Sequence, residues 1–332
     1  MSTPPVQPAP PASAARSAID LLRAARTGAT VQVEPWPTEH PLFALVLSVS
    51  LLMWLVIAVS ILGLVYVALI AVGLLIAQAA YVAYVRGSAV RLGPDQFPEL
   101  HARVVELATR VGIHPLPEAY VMQAGGNLNA FAMRFLRSRM VILFSELLDA
   151  CGDDLAARDD VIGHELGHIH AGHLNWQWLL APGKALPFLG NAYSRACEYT
   201  CDRYGAALCG DREGSLRGLA ILAAGGRLGP RVNLKQLALQ RTSLDTGWMT
   251  IGKWLSTHPP LCDRVAALSP SLAGPPDTSW RGPLRAALIM LVAAVLPALI
   301  LVTIAVTLAL RAEDSATSRQ RAPRGAFSPG IR

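Results

Sequence analysis

Charged side chains are scarce in this chain. Only 16% of the 332 residues are Asp, Glu, Lys or Arg, while 52% are hydrophobic and the mean hydropathy is positive. This balance is unusual for a soluble protein and indicates a membrane protein. The net charge of +6 is spread along the chain without clusters of basic and aromatic residues. Nucleic acid is therefore not an expected partner, and the anionic head groups of a lipid bilayer account for the charge.

The cysteine content excludes a disulfide-stapled extracellular domain. Five cysteines are an odd number, which fits a reducing compartment better than a disulfide framework. The sequence also contains no internal repeats, so repeat architectures are not expected.

Two stretches of the chain lack charge entirely. Residues 42–85 are long enough for two transmembrane helices joined by a tight turn, and Ser60 and Gly63 mark that turn. Residues 286–310 predict a third transmembrane helix, kinked at Pro297. Seven arginines flank the membrane on the side of the intervening domain and four on the other side. The positive-inside rule therefore predicts an integral protein of the cytoplasmic (inner) membrane whose domain faces the cytoplasm.

These blocks divide the chain into five segments: a disordered tail (1–41), a hairpin of two transmembrane helices (42–85), a globular domain (86–285), a third transmembrane helix (286–310) and a second disordered tail (311–332). Within the domain, the patterns predict helices over 97–112, 154–175 and 214–225 and strands over 117–123 and 139–145.

One five-residue motif carries most of the chemical information. His164-Glu165-Leu166-Gly167-His168 reads H-E-x-x-H, and positions i and i+4 of a helix share one face. Two imidazoles there can bind one metal ion, and the Glu can reach a water that the metal activates. The alternative is an amphipathic helix with surface histidines. Gly163 and Gly167 are interpreted as places where another element or the substrate packs closely. His170 and His173 lie off the metal face and are interpreted as solvent-facing or packed residues.

A catalytic zinc ion usually has three protein ligands. Glu198 and Asp202 lie at i and i+4 of a second helical stretch, where Glu198 can bind the metal and Asp202 can fix the tautomer of a ligating histidine. The alternative is a solvated acidic pair balanced by Arg195 and Arg203. Cys201 remains a less favoured ligand, because its spacing from Cys197 is not that of a C-x-x-C metal site.

These residues resemble a known family, the membrane zinc metallopeptidases that include the HtpX-like heat-shock proteases and the CAAX prenyl-protein endopeptidases. Further matches are Asn129-Ala130-Phe131-Ala132 ahead of the motif, the Glu-x-x-x-Asp of Glu198 and Asp202, and His258-Pro259-Pro260 followed by Arg264. The resemblance covers about residues 95–268. It implies an α+β zincin-like (gluzincin) metalloprotease domain, mainly α-helical with a small sheet, beside three transmembrane helices. Residues 174–193 are too short and broken for the hydrophobic hairpin of many relatives, and are placed at the membrane surface.

The resemblance also implies roles. Three residues would hold one zinc ion: His164, His168 and Glu198. Glu165 would act as general base and then as general acid. His258 would stabilise the oxyanion, whereas the residue alone reads as part of a turn before two prolines. Arg264 would pair with Asp202, and residues 129–132 would form or adjoin the sheet edge that aligns the substrate as an added strand.

The predicted function is a membrane-anchored zinc endopeptidase acting on unfolded or membrane proteins, in protein quality control. Its expected partners are a polypeptide substrate and the lipid bilayer, and a homo-oligomer stays open. An intramembrane protease is disfavoured because Asp159, Asp160 and His170 flank the motif. The alternative from another class is a non-catalytic zinc-binding scaffold or chaperone-like protein. The intact Glu165 argues against it, since a structural zinc site needs no general base.

Overall fold

The computed structural model describes residues 30–273 and 280–321. Its first two helices are long and apolar. Helix α1 spans Glu39–Ala58 and α2 spans Ile61–Ser88, and both are long and apolar enough to cross a membrane. Ser60 caps α2, because its Oγ accepts a hydrogen bond from the Gly63 backbone N–H at 3.0 Å. The tight turn predicted at these two residues is confirmed.

A small sheet follows α2. Its strands are β1 (Val90–Arg91), β2 (Glu118–Met122), β3 (Ala130–Phe135) and β4 (Ser138–Phe144), in the spatial order β1-β2-β4-β3. Strands β2 and β4 are parallel, whereas β3 pairs antiparallel with β4 and lies at the edge of the sheet. Both strands predicted from the apolar pattern are present, and β3 is the strand that the resemblance placed at the sheet edge.

Strand β4 is buried on both faces, which explains its unbroken apolar run. Val141 and Leu143 belong to the main core, which they share with Leu107 of the helix α3, Pro98–Arg110. On the opposite face, Met140 and Ile142 pack with Val82 and Val85 of α2. The sheet is thus held between the domain core and the end of an apolar helix.

The remaining helices of the domain are α4 (Ser145–Cys151), α5 (Leu155–His170), α6 (Gln177–Lys184), α7 (Pro187–Cys209), α8 (Arg212–Leu228), α9 (Leu234–Leu239), α10 (Gly247–Leu255), α11 (Leu261–Leu268) and α12 (Pro270–Ala273). Asp154 caps α5, since its Oδ1 accepts from the Ala157 N–H at 3.1 Å. Helix α5 ends five residues before the predicted end at 175, because Gly172 has a φ of +79° and turns the chain back.

Residues 30–38, which the sequence analysis placed in a disordered tail, contact the domain. The Val31 N–H donates to the Arg110 carbonyl at 2.9 Å, and the ring of Trp36 stacks on Tyr199 with centroids 4.5 Å apart. The guanidinium of Arg203 also lies over the Trp36 ring, with Cζ 4.8 Å from the ring centroid, in a cation–π contact. These contacts show that residues 30–38 pack against the domain. The rest of that predicted tail, residues 1–29, lies outside the described residues.

A second compact unit contains residues 244–251 and the long helix α13, Arg281–Arg321. Asp245 Oδ1 accepts a hydrogen bond from the Gly282 N–H at 3.0 Å, which satisfies a backbone donor in the first turn of α13. Residues 281–308 are long and apolar enough to cross a membrane. The helix continues to Arg321, so the segment predicted as a disordered tail from 311 begins as helix, and residues 322–332 lie outside the described residues.

Helices α5 and α7 approach each other closely at glycines. A Cβ at Gly163 would lie 3.0 Å from the Cα of Gly205, and a Cβ at Gly167 would lie 2.9 Å from the Cβ of Tyr204. These distances confirm the interpretation of Gly163 and Gly167 as points of close packing. The contact sets the histidines of α5 opposite the acidic residues of α7.

Gly167→Ala should destabilise the domain by about 1–3 kcal/mol, because the added methyl group overpacks the helix contact. The apparent melting temperature of the full-length protein in detergent measures this. Gly252→Ala is the matched control, since an added Cβ there meets nothing within 4 Å. An equal melting temperature for Gly167→Ala and wild type would show that α5 and α7 are not in this contact.

Candidate metal centre

Three side chains from two helices converge at one point. Helix α5 contributes His164 and His168, and α7 contributes Glu198. His164 Nε2 lies 3.4 Å from Glu198 Oε2, and His168 Nε2 lies 3.4 Å from the other oxygen, Oε1. Donors bound to one tetrahedral zinc ion at about 2.0–2.1 Å lie about 3.4 Å apart. The spacing of these atoms therefore fits a tetrahedral metal ion.

The electrostatics of the site also favour a cation. Burial alone would lower the pKa of His164, but the carboxylates of Asp202 and Glu198 outweigh it and raise that pKa to about 10. Burial raises the pKa of Glu198, yet hydrogen bonds and attraction from His164 and His168 bring it well below its usual range. The carboxylates thus favour a positive charge at the point where the donors meet. A divalent metal ion bound there would supply that charge.

Asp202 contacts the ring nitrogen of His164 that faces away from this point. His164 Nδ1 lies 3.0 Å from Asp202 Oδ1, and Arg264 Nε donates to Asp202 Oδ2 at 2.9 Å. All three side chains are buried. An Nδ1–H of His164 that donates to Asp202 leaves Nε2 unprotonated and available to a metal. The structure thus brings Asp202 and Arg264 together as predicted.

The alternative of a solvated acidic pair does not hold. Glu198 and Asp202 are both buried, and the arginines proposed to balance them point elsewhere. Arg195 donates to the carbonyls of Trp254 and Ser256, and Arg203 donates to those of residues 34 and 35.

A cavity of about 410 Å³ lies in front of the converging donors. Its lining includes the buried Glu165, the predicted substrate segment from Asn129 to Ala132, and His258. The His258 side chain is 68% exposed, and its Nε2 lies 3.6 Å from Glu198 Oε1. The lining also includes the apolar side chains of Leu147 and Leu222. The structure therefore places every predicted site residue in or directly behind one cavity.

His173 is a packed residue, as one of the two interpretations held, but it contacts a candidate ligand that the sequence did not connect with it. Its Nδ1 lies 3.1 Å from the Nδ1 of His168, and its Nε2 lies 3.1 Å from Oε1 of Glu39. A helix continuing to 175 would have carried His173 away, but the turn at Gly172 returns it to His168. His170 is exposed to solvent, and its Nδ1 lies 2.8 Å from the Tyr204 hydroxyl.

Cys201 also lies near His164 and His168, with one atom from each of the three residues within 4.8 Å of the others. Burial raises the pKa of its thiol well above the usual value, and the Glu198 carboxylate raises it further. A protonated thiol is a poor metal ligand. Glu198, which is ionised, is the better third donor.

A comparison with protein families matches this chain to the model of peptidase family M48, over residues 94–187 and 176–271. The two matches together extend over more than half of the chain and include every residue of the candidate metal centre. No solved structure matches the chain.

Within the described residues, Asp160 beside the candidate metal centre forms no ion pair, although His164 and Arg264 lie close enough to lower its pKa in part. Its carboxylate faces Gly205 of α7 and Gly218 of α8, and it accepts a short hydrogen bond from the Ser215 hydroxyl. Burial raises its pKa to about 7, although Ser215 lowers it in part. Because this pKa exceeds the value of about 4 in an unfolded chain, the folded protein binds the extra proton and loses stability as pH rises from about 4 to 7.

Asp160→Asn should remove this pH dependence. In chelator-treated protein, the variant should melt close to wild type at pH 5 and above it at pH 8. Asp159→Asn is the control, because the neighbouring Asp159 is buried but accepts from Arg103 at 2.7 Å. That variant should melt lower at both pH values. Equal loss of stability with pH in Asp160→Asn and wild type would contradict a protonated Asp160.

Proposed function

Because the chain belongs to peptidase family M48, whose members are metal-dependent peptidases, we propose that it is a membrane-anchored zinc endopeptidase. Its substrates are unfolded or membrane polypeptides. The observation that carries the proposal is the 3.4 Å spacing of Glu198 from His164 and His168 beside the buried Glu165. These three donors leave one position of a tetrahedral ion for water and substrate, as catalytic zinc requires.

The chain's own residues divide the chemistry. One zinc ion held by His164, His168 and Glu198 would lower the pKa of a water molecule to about 7 and polarise the scissile carbonyl. Glu165 takes the proton from the attacking water and then gives it to the leaving amine. His258 donates from Nε2 to the developing oxyanion, while its Nδ1 is held 2.9 Å from the Thr257 hydroxyl.

The edge strand β3 suits a polypeptide substrate. It pairs with β4 on one side only, and its first residues line the cavity. An extended peptide can pair with the free side of residues 130–132 and so bring a backbone carbonyl across the cavity. Such pairing uses only backbone hydrogen bonds and does not depend on the substrate's side chains. It therefore suits an enzyme of broad specificity.

The position of β3 supports substrates from the membrane or its surface. Gln78 of α2 donates to the carbonyl of Arg134 in β3 at 2.7 Å, and the ring of Tyr81 lies 6.2 Å from that of Phe131. The substrate edge therefore adjoins a helix that we propose crosses the bilayer. We place the domain in the cytoplasm on the arginine distribution, and this location suits a role in protein quality control.

The segment 174–193 supports the same membrane placement. Trp54 of α1 donates to the Leu179 carbonyl of α6 at 2.9 Å, and the Gly183 N–H donates to Ser50 Oγ at 3.0 Å. Trp176 and Trp178 are exposed, as expected of aromatic residues at a membrane interface.

Glu165→Gln tests the proposal. The full-length protein in detergent is given an unfolded substrate such as casein, and zinc content is measured on the same samples. Loss of the general base should lower the cleavage rate at least about 100-fold, with about one zinc per chain retained. Glu213→Gln, at an exposed position of α8, is the control and should cleave normally.

The outcomes separate the alternatives. Zinc binding without cleavage in either wild type or Glu165→Gln would favour the non-catalytic scaffold. Absence of zinc from wild type would contradict the assignment of the ligands.

His258→Phe should reduce kcat about 100- to 1,000-fold, because it removes the donor to the oxyanion. Zinc content and melting temperature should stay at wild-type values, since this side chain is largely exposed. An unchanged kcat would leave His258 as a turn residue before two prolines.

A further inference from the structure

Three side chains connect the first apolar helix to the metal centre. His168 of α5, His173 of the following turn and Glu39 of α1 form two successive contacts of 3.1 Å. The side chains of His173 and Glu39 are only 6% and 7% exposed. The rings of His168 and His173 meet edge to face, with centroids 5.2 Å apart. Water therefore does not compete for these contacts.

The carboxylate of Glu39 sets the direction of the hydrogen bonds. An ionised carboxylate only accepts, so His173 carries its proton on Nε2 and donates it to Glu39. The Nδ1 of neutral His173 is then an acceptor, and His168 donates to it from its own Nδ1. The remaining nitrogen of His168, Nε2, is left unprotonated on the side of Glu198. The Sγ of Cys201 lies farther from the same nitrogen of His173, at 3.6 Å. Because that nitrogen has one lone pair, we assign its hydrogen bond to the closer His168 Nδ1.

Glu39 is itself held in place independently of His173. The Trp36 N–H donates to Thr200 Oγ1 at 2.8 Å, so the hydroxyl hydrogen of Thr200 is free to donate to the second oxygen of Glu39 in a short hydrogen bond. Both carboxylate oxygens therefore have a donor.

We propose that Glu39 and His173 are positioning residues for His168, so that the first apolar helix is part of the metal centre. Asp202 accepts a hydrogen bond from Nδ1 of His164 and so fixes its tautomer. Glu39 has the same effect on His168, but through the ring of His173. This inference rests on the ligand set of the proposed function. Partners of this kind typically contribute about 10- to 100-fold to metal affinity.

The same region contains a different grouping, in which Glu39, His173 and Cys197 lie close enough to hold a second metal ion. The existing hydrogen bonds argue against it, because both oxygens of Glu39 and Nε2 of His173 are already engaged. Metal stoichiometry distinguishes the two arrangements.

The zinc affinity of the full-length protein in detergent, measured by competition with a chelator, tests the proposal. His173→Phe should bind zinc at least about 10-fold more weakly than wild type, and Glu39→Gln should lose part of that amount. Glu39→Gln added to His173→Phe should have no further effect, since Glu39 acts only through His173. Ser50→Ala is the matched control, because Ser50 is a buried polar residue of the same helix that bonds α6. Its zinc affinity should equal that of wild type.

Two further measurements separate positioning from folding. His173→Asn keeps an acceptor near the Nδ1 position and should recover most of the affinity that His173→Phe loses. The visible absorption spectrum of the Co²⁺-substituted protein should change in His173→Phe and Glu39→Gln but not in Ser50→Ala, because it reports ligand geometry.

Each contrary result is specific. Wild-type affinity in His173→Phe and Glu39→Gln would overturn the proposal, and so would additive effects in the double variant. Two zinc ions per wild-type chain would replace it with a second metal site. A wild-type protein that binds no zinc would overturn the proposed function as well.

Discussion

The close contact of α5 with α7 is the constraint on which the site depends. Both helices carry glycine where they cross, so their axes approach nearer than side chains would permit. This approach brings Glu198 within 3.4 Å of both histidines. Metal ligands tolerate errors of only about 0.2 Å in distance. A contact that moved by the width of one methyl group would leave the three donors too far apart for one ion.

Burial of charge is the second constraint, and three buried acids near the site show two ways of meeting it. Asp202 lies against Arg264 and His164, and Glu198 lies against the two ligand histidines. Asp160, which forms no ion pair within the described residues, takes up a proton instead, and its pKa rises to about 7. The domain therefore stabilises these three buried acids in two different ways.

The sequence predicted the features of the site that depend on local residue patterns. It missed the contacts that depend on where a helix ends and the chain turns. The apolar spacing of α5 and the i, i+4 pairs of α5 and α7 led to the candidate ligands. Strand β3 has no distinctive alternation, and only the resemblance indicated it, because its structure comes from pairing with β4. His173 was missed because Gly172 ends α5 early. Glu39 was missed because it precedes His173 by 134 residues and its neighbours read as a tail.

The separation of Glu39 from His173 has a consequence for the life of the protein in a cell. A ribosome completes α1 long before it makes the H-E-x-x-H motif. Glu39 is therefore synthesised before the histidines that it is proposed to position. If Glu39 positions His168, proteolytic shedding of the domain from α1 would release a fragment with an impaired metal centre. Hydrolysis of peptide bonds would then require that the domain and the first apolar helix remain in one chain.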